Sequence, residues 1–123
     1  APLNDASRGM IDAEAIGRMK SDAVLINTAR AELIDEDAML AALQNDRLWG
    51  VGVDALRSET DPSRNDVTQE LLAHPRVLVT PHSAGSTSES LARANRIAMT
   101  TIIDVLEGRE PNPQCVVVDG RKA

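Results

Sequence analysis

The sequence predicts an α/β domain built on a parallel sheet, and three observations support that prediction. Short apolar runs of strand length occur along the chain, and amphipathic segments with helix-start signals separate them. The core must be aliphatic, because the 123 residues are 42% apolar but include no Phe, no Tyr and one Trp. Alternation of strands with helices indicates βαβ units with right-handed connections, and the length fits one globular domain.

Three apolar runs predict the strands of this sheet. They span residues 23–28, 48–53 and 76–80, and read AVLINT, LWGVGV and RVLVT. Each run is nearly continuous rather than alternating, which is typical of parallel strands that are covered on both faces. We therefore predict three buried strands, with Trp49 in the core.

Helices are predicted before the first strand and between the strands. The same pattern occurs at residues 11–16 and 34–39: an apolar residue, an Asp N-cap and a second apolar residue five positions after the first. This spacing predicts helices that start at Asp12 and Asp35. A third helix is predicted near 66–73, because this segment begins Asp-x-x-Gln and ends ahead of a His-Pro pair.

A longer helix is predicted after the third strand. The run 86–89, Ser-Thr-Ser-Glu, reads as a capping box, and Gly108 is a suitable C-terminal stop. The tail 109–123 contains two prolines and one short apolar run, so we predict an irregular or extended arm with Cys115 as a reduced thiol. The helix should span about 87–107, with apolar residues at helical spacing: Leu91, Ala94, Ala98, Ile102 and Val105.

The hexapeptide 50–55, GVGVDA, matches the dinucleotide-binding pattern G-x-G-x-x-G/A. That pattern binds a pyrophosphate only where its glycines follow a strand and open a helix. Here the glycines lie inside a predicted strand, a polar proline-containing stretch follows them, and Asp54 would place a carboxylate where a phosphate should lie. The motif therefore predicts no phosphate site, and Asp54 requires another explanation.

Polar side chains with catalytic chemistry follow each predicted strand. Arg30 comes after the first strand, Asp54 and Glu59 come after the second, and His82 comes after the third. Ligands of open α/β sheets bind beyond the carboxyl ends of the strands, so these side chains should converge at one edge. Taken singly, each has a structural alternative: Arg30 as an ion-paired surface residue, His82 as a hydrogen-bonded structural histidine, and the carboxylates as turn and loop residues.

Together these residue types suit the interconversion of 2-oxo acids and 2-hydroxy acids. A guanidinium such as that of Arg30 binds a carboxylate or carbonyl oxygen in a two-pronged grip. An imidazole such as that of His82 can give a carbonyl oxygen its proton while a hydride arrives at carbon, and a nearby Glu59 would favour the imidazolium form. No side chain supplies a hydride, so a nicotinamide cofactor is required.

Composition argues against several other partners and compartments. The net charge is −6 without a run of Lys or Arg, so we predict no nucleic-acid or membrane partner. No apolar run approaches the roughly 20 residues that cross a bilayer, and a single cysteine cannot form an internal disulfide, so we predict a cytoplasmic protein. We predict no metal site. The chain opens Ala-Pro-Leu rather than with Met, which suggests a piece of a longer polypeptide.

In their order and spacing, four segments resemble the D-isomer-specific 2-hydroxyacid dehydrogenases, a family that includes the D-3-phosphoglycerate, glycerate and formate dehydrogenases. The segments read PLNDASRGMI, MKSDAVLINTARAELIDEDAMLAAL, GVGVDALRSE and VLVTPHSAGSTSES. The match extends from Pro2 to about Pro113, nearly the whole chain, and the combination is highly specific. The resemblance implies a Rossmann-like fold that binds NAD, with NADP not excluded.

The resemblance also implies a role for each site residue. Arg30 corresponds to the substrate-binding arginine, Glu59 to its glutamate partner and His82 to the acid/base histidine. Asp54 corresponds to an aspartate that contacts the nicotinamide carboxamide, which would explain a carboxylate at that position. The implied cofactor contacts are Pro2 and Leu3 at the adenosine and Thr28, Ala29, Asp54 and Gly85 on the nicotinamide side, together with Arg30 and His82.

Several features depart from the family pattern. Ala31 replaces a usual glycine, Thr60 a common proline and Asn4 a common threonine, and none of these changes a catalytic position. The glycine-rich βαβ unit and most of the substrate domain, which precede this segment in family members, are absent from the 123 residues. We therefore interpret 1–108 as the C-terminal half of an NAD-binding domain and 109–123 as a tail that returns to the substrate domain.

From this interpretation we expect a fragment of an NAD(P)-dependent D-2-hydroxyacid dehydrogenase that is inactive as an isolated chain. The exposed apolar edge of a half-sheet should also favour a homo-oligomer, a dimer in the simplest case. One alternative is a non-catalytic, nucleotide-responding module, because some relatives are transcriptional corepressors and can retain the catalytic trio. A second is an unrelated α/β domain with chance matches. Turnover of substrate by a longer parent chain would separate the enzyme from the corepressor-like module.

Overall fold

The computed structural model describes residues 1–115 and contains a three-stranded parallel sheet. The strands are β1 (Val24–Asn27), β2 (Gly50–Val53) and β3 (Val77–Val79), and β2 lies between the other two. Both pairings are parallel and in continuous register. The predicted α/β class with a parallel sheet is confirmed, although each strand is two residues shorter than its apolar run.

The described residues form four α-helices, and the two predicted aspartate caps are present. Asp12 Oδ1 accepts a hydrogen bond from the Ala15 N–H at 2.8 Å, and Asp35 Oδ1 accepts one from the Ala38 N–H at 3.1 Å. These bonds satisfy N–H groups that the start of a helix leaves without a backbone partner. The helices are α1 (Ala13–Gly17), α2 (Glu36–Gln44), α3 (Asn65–Ala73) and α4 (Ser88–Leu106).

The start of α3 differs from the prediction. The helix begins at Asn65, so Asp66 lies within the first turn instead of capping it. A 3₁₀ turn over Pro62–Arg64 leads directly into the helix, and Asp61 caps that turn by accepting from the Ser63 N–H at 3.1 Å. The capping aspartate therefore lies five residues earlier than predicted, ahead of the proline.

The start of α4 differs by one residue. Thr87 Oγ1 accepts from the Ser90 N–H at 3.1 Å, and Ser90 Oγ accepts from the Thr87 N–H at 3.1 Å. The capping box is therefore 87–90, because Thr87 keeps the extended backbone of an N-cap, and the box predicted at 86–89 is wrong. At the other end, Gly108 has a φ of +74° and follows the helix end as predicted.

Residues Ala1–Ala84 form one compact unit, and its core lies on one face of the sheet. The alternation of side chains along β2 turns Val51 and Val53 toward this core, where both are almost fully buried. The helices α1 to α3 and the segment before β2 contribute the most deeply buried side chains: Ile16, Met39, Leu43, Leu48 and Leu71.

The opposite face of the sheet, here called the open sheet face, is not covered by the other elements of the first unit. It carries Val24, Ile26, Trp49 and Leu78, which are between 50% and 70% exposed. The predictions that the strands are covered on both faces and that Trp49 lies in the core are therefore wrong. A continuous apolar run supplies side chains to both faces of a strand, but only one face meets α1 to α3.

The described residues from Gly85 onward belong to a second compact unit, and α4 is its main element among them. No residue of α4 is buried, and members of the predicted apolar stripe such as Leu91 and Ile102 are more than 50% exposed. A 3₁₀ turn over Pro113–Cys115 follows. The rest of the predicted arm lies outside the described residues, and the domain division at Gly108 stays a prediction.

Candidate active site

The loops that follow the three strands leave the sheet at the same edge. The backbone ladder continues past the strand ends: the Asp54 N–H donates to the Asn27 carbonyl at 3.0 Å, and the Thr80 N–H donates to the Val53 carbonyl at 3.0 Å. Because the strands are parallel, their carboxyl ends lie side by side. The loops with the predicted catalytic residues therefore share one edge of the sheet, as the sequence predicts.

Two of the predicted catalytic residues, Glu59 and His82, form a hydrogen-bonded pair. Glu59 Oε2 lies 2.6 Å from His82 Nδ1, and the two side chains are partly exposed, at 41% and 48%. The pair connects the loop after β2 with the loop after β3. With Nδ1–H donated to the carboxylate, the imidazole has a fixed tautomer and Nε2 is the nitrogen that can exchange a proton with a ligand.

The second oxygen of Glu59 anchors the turn in which Glu59 lies. Oε1 accepts from the Leu56 N–H at 2.8 Å, across the 3₁₀ turn Arg57–Glu59. The hydrogen bond with His82 is the largest cause of a lowered pKa of Glu59, the Leu56 N–H lowers that pKa further, and partial burial opposes both. Glu59 is therefore ionised at neutral pH and presents a negative charge to the imidazole.

Asp54 holds the loop that carries His82. This residue is 3% exposed, and its carboxylate accepts from the Thr80 hydroxyl at 2.5 Å, the Ser83 N–H at 2.9 Å and the Ala84 N–H at 2.8 Å. The Thr80 hydroxyl, followed by the Ala84 N–H, lowers the pKa of Asp54, so the anchor is ionised at neutral pH. These bonds fix a loop in which His82 has a φ of +51°, a left-handed backbone that residues other than glycine rarely adopt.

The GVGVDA motif forms no phosphate-binding turn. Gly50 and Gly52 lie within β2, and Asp54 follows the strand, as the sequence context predicts. A Cβ on Gly50 would lie 3.1 Å from the Arg76 carbonyl oxygen, so the close approach of two backbones accounts for a glycine there. The observed role of Asp54 is to anchor the His82 loop, and its contact with a cofactor stays a prediction.

Asn27 holds the loop that carries Arg30. Asn27 is 8% exposed; its Nδ2 donates to the Arg30 carbonyl at 2.8 Å, and its Oδ1 accepts from the Ala29 N–H at 3.0 Å. The Arg30 side chain is exposed, and its Nη1 donates to the Ala29 carbonyl at 2.9 Å. Within residues 1–115 no carboxylate forms an ion pair with Arg30, so the guanidinium keeps donors for a ligand.

The other predicted cofactor residues lie in three places. Thr28 is exposed and Ala29 is half-buried, and both precede Arg30 in its loop. Pro2 and Leu3 belong to the N-terminal segment, where the Pro2 carbonyl accepts from the Ser7 hydroxyl at 2.7 Å. Gly85 begins the second unit. Contact of these residues with a cofactor stays a prediction.

Sequence reasoning did not identify Asn27 or Thr80 as part of the site. A polar residue at the end of an otherwise apolar strand run was the available signal for Asn27. Thr80 ends the third apolar run in the same way, but its partner could not be predicted, because that partner is a carboxylate 26 residues away. Within the described part of the chain, no helix is long and apolar enough to span a membrane, and no cluster of three His, Cys, Asp or Glu side chains could bind a metal ion.

Sequence comparison identifies proteins similar to this chain. The family profile described as "D-isomer specific 2-hydroxyacid dehydrogenase, NAD binding domain" matches residues 1–84, the whole of the first compact unit. Glyoxylate/hydroxypyruvate reductase B of Enterobacter agglomerans is 34% identical over 108 residues, which cover 88% of this chain and 32% of that protein. The chain thus spans about a third of the length of this relative.

Solved structures with the same fold include two that contain a cofactor. D-isomer specific 2-hydroxyacid dehydrogenase from Lactobacillus delbrueckii ssp. bulgaricus, in its NAD complexed form, has a TM-score of 0.82 at 32% identity, over 91% of this chain and 37% of that one. D-lactate dehydrogenase with NAD+ from Lactobacillus jensenii has a TM-score of 0.82 at 32% identity, over 97% and 38%. The Rossmann-like fold, the family resemblance and NAD as the cofactor of the matched domain are confirmed.

The Glu59–His82 pair predicts a titration that can be measured on the chain itself. Because the folded-state pKa of Glu59 lies below that of an ordinary glutamate, about 4.3, ionised Glu59 stabilises the fold above that pH, and the contribution is lost as pH falls through the lowered pKa. We expect His82→Ala to shift the NMR titration of the Glu59 carboxyl to higher pH.

A control variant and a control carboxyl group make the Glu59 titration decisive. His74→Ala removes the only other histidine and should leave the Glu59 titration unchanged. The pKa of Asp61, which the Ser63 hydroxyl lowers, should stay low in both variants. An unchanged Glu59 titration in folded His82→Ala would contradict the pairing.

Proposed function

Because the chain belongs to the D-isomer specific 2-hydroxyacid dehydrogenase family, we propose that it is part of a longer oxidoreductase that transfers a hydride between NAD(P) and a D-2-hydroxy acid or its 2-oxo acid. The observation that carries this proposal is the hydrogen bond between Glu59 and His82 at the sheet edge that also presents Arg30. In the same proposal the protein is cytoplasmic, and the corepressor-like module remains the alternative that turnover would exclude.

In this mechanism Arg30 binds the substrate and His82 moves the proton. The exposed guanidinium takes the substrate carboxylate, or its carbonyl oxygen, through two parallel N–H donors. During reduction, His82 Nε2 gives its proton to the carbonyl oxygen as a hydride reaches the carbonyl carbon, and during oxidation the same nitrogen accepts the hydroxyl proton. Glu59 stabilises the imidazolium from the Nδ1 side and keeps the ring oriented.

The residues present fit the nicotinamide end of the cofactor. When bound, NAD accepts or supplies the hydride that no side chain can provide. The proposed contacts are Thr28, Ala29, Asp54 and Gly85 near the nicotinamide, together with Arg30 and His82, and Pro2 and Leu3 near the adenosine. The exposure of Arg30 and His82 at this edge supports the assignment.

The catalytic assignments predict distinct kinetic losses in a longer polypeptide that contains these residues. His82→Gln should lower kcat by about 10²–10⁴-fold, because the proton carrier is lost. Arg30→Lys should raise KM by roughly 10–100-fold, because a point charge replaces two charge-assisted hydrogen bonds. His74→Gln is the matched control and should leave both constants unchanged. Wild-type kcat in His82→Gln would exclude the assignment.

The lack of a glycine-rich phosphate-binding turn in this sequence predicts that the isolated chain cannot bind the cofactor tightly. In the family a glycine-rich turn between a strand and a helix binds the pyrophosphate, and the only such motif in this sequence lies within β2. The 123-residue chain should therefore bind NAD weakly or not at all and show no turnover. Calorimetric titration with NAD tests this, and tight, saturable binding would contradict it.

The open sheet face predicts self-association of the isolated chain. The exposed apolar side chains of the open sheet face form a contiguous patch, and such a patch favours contact with a second copy of the chain. Light scattering should give a mass that rises above 13.2 kDa with concentration. Ile26→Lys, on the open sheet face, should reduce that rise, whereas Ala41→Lys, on the exposed side of α2, should not. A wild-type mass of 13.2 kDa at all concentrations would contradict the prediction.

A further inference from the structure

Glu36, in the first turn of α2, is a buried carboxylate outside the predicted catalytic set. It is 2% exposed, whereas the adjacent Asp37 is exposed. Glutamate is rarely buried to this extent unless a specific interaction compensates. Burial is the largest effect on Glu36 and raises its pKa, while the Arg57 N–H and the Arg64 guanidinium act in the opposite direction. The fold therefore keeps this polar group in its core at a cost in desolvation.

One oxygen of Glu36 binds the turn that carries Glu59. Glu36 Oε1 accepts from the Arg57 N–H at 2.7 Å, although the two residues are 21 positions apart in sequence. Arg57 opens the 3₁₀ turn, and the preceding N–H, that of Leu56, donates to Glu59 Oε1 at 2.8 Å. Two successive N–H groups at the start of this turn are thus bound by two carboxyl groups, one from within the turn and one from α2.

These contacts connect α2 to the imidazole in a chain of hydrogen bonds. Glu36 fixes the Arg57 backbone, the turn places Glu59, and Glu59 Oε2 lies 2.6 Å from His82 Nδ1. Glu36 Oε2 is buried, and the described residues provide it with no hydrogen-bond partner. An apolar side chain of similar volume would avoid that desolvation, so packing alone does not explain a carboxyl group here.

We propose that Glu36 is a positioning residue, which orients the Glu59 carboxylate toward His82 through the Arg57 N–H. The inference rests on the proposed function, in which Glu59 and His82 act together. The competing explanation is a purely structural role at the start of α2. In that case loss of Glu36 would lower stability and leave the state of Glu59 unchanged.

Substitutions at Glu36 separate these two roles in the full chain. Glu36→Gln keeps a carbonyl oxygen for the Arg57 N–H, whereas Glu36→Met has a similar volume and no such acceptor. We expect the NMR titration of the Glu59 carboxyl to stay at its wild-type position in Glu36→Gln and to move to higher pH in Glu36→Met. Amide exchange at Arg57 should accelerate roughly tenfold in Glu36→Met only, because its acceptor is lost.

A matched control uses the neighbouring acid. Asp37→Asn removes the exposed carboxylate that lies 2.5 Å from Arg64 Nη2, so it perturbs the same helix start. It should leave the Glu59 titration unchanged, and so should any change that acts only through the stability of α2. His82 and Asp54, whose charges act on Glu59 in the folded chain, are unchanged in all of these variants, and Glu36→Gln and Glu36→Met both remove the Glu36 carboxyl group.

The outcomes decide the inference in either direction. A wild-type Glu59 titration in folded Glu36→Met overturns the inference. If Glu36→Met does not fold, the same titration is measured in Glu36→Asp, because its shorter side chain withdraws the acceptor from the Arg57 N–H. A wild-type Glu59 titration in that variant would overturn the inference in the same way. In a longer active chain, Glu36→Met should lower kcat by up to roughly 100-fold with little change in KM, as a misplaced catalytic group does, and Glu36→Gln should restore most of it. The titration needs no turnover, so failure of the proposed function would be recognised separately.

Discussion

The parallel register of three short strands is the constraint on which the rest of this structure depends. Hydrogen bonds between β1, β2 and β3 bring their carboxyl ends to one edge, and every residue with candidate catalytic chemistry in the first unit follows one of those ends. No local property of Arg30, Glu59 or His82 would place them together. The sheet does so because a parallel arrangement requires each strand to end beside its neighbours and each connection to return by a helix on its face.

Buried polar side chains convert this general placement into a specific geometry. Asn27 holds the loop after β1, Glu36 holds the turn after β2, and Asp54 holds the loop after β3. Each accepts a hydrogen bond from backbone N–H groups that helices and strands leave without partners. Loops that carry binding residues are usually less ordered than helices and strands, and these three anchors hold the loops that carry Arg30, Glu59 and His82.

The sequence was sufficient to predict features that local physics decides. Apolar runs located all three strands, and aspartate caps located α1 and α2, because both signals act over a few residues. The anchors could not be predicted in the same way: Glu36 in a first helical turn is ordinary on grounds of the helix dipole, and only the fold shows that it reaches Arg57. Trp49 was placed wrongly because an apolar run does not reveal which of its two faces the helices cover.

The exposed position of Trp49 gives the chain an optical property of its own. With one Trp and no Tyr, nearly all of its near-ultraviolet absorption and fluorescence come from a single indole. That indole lies on the open sheet face and is 61% exposed, so its excited state relaxes in contact with water. A polypeptide that covered this face would exclude the water and move the emission to shorter wavelength. The colour of the emitted light would thus report whether the open sheet face is exposed to water or covered by another polypeptide segment.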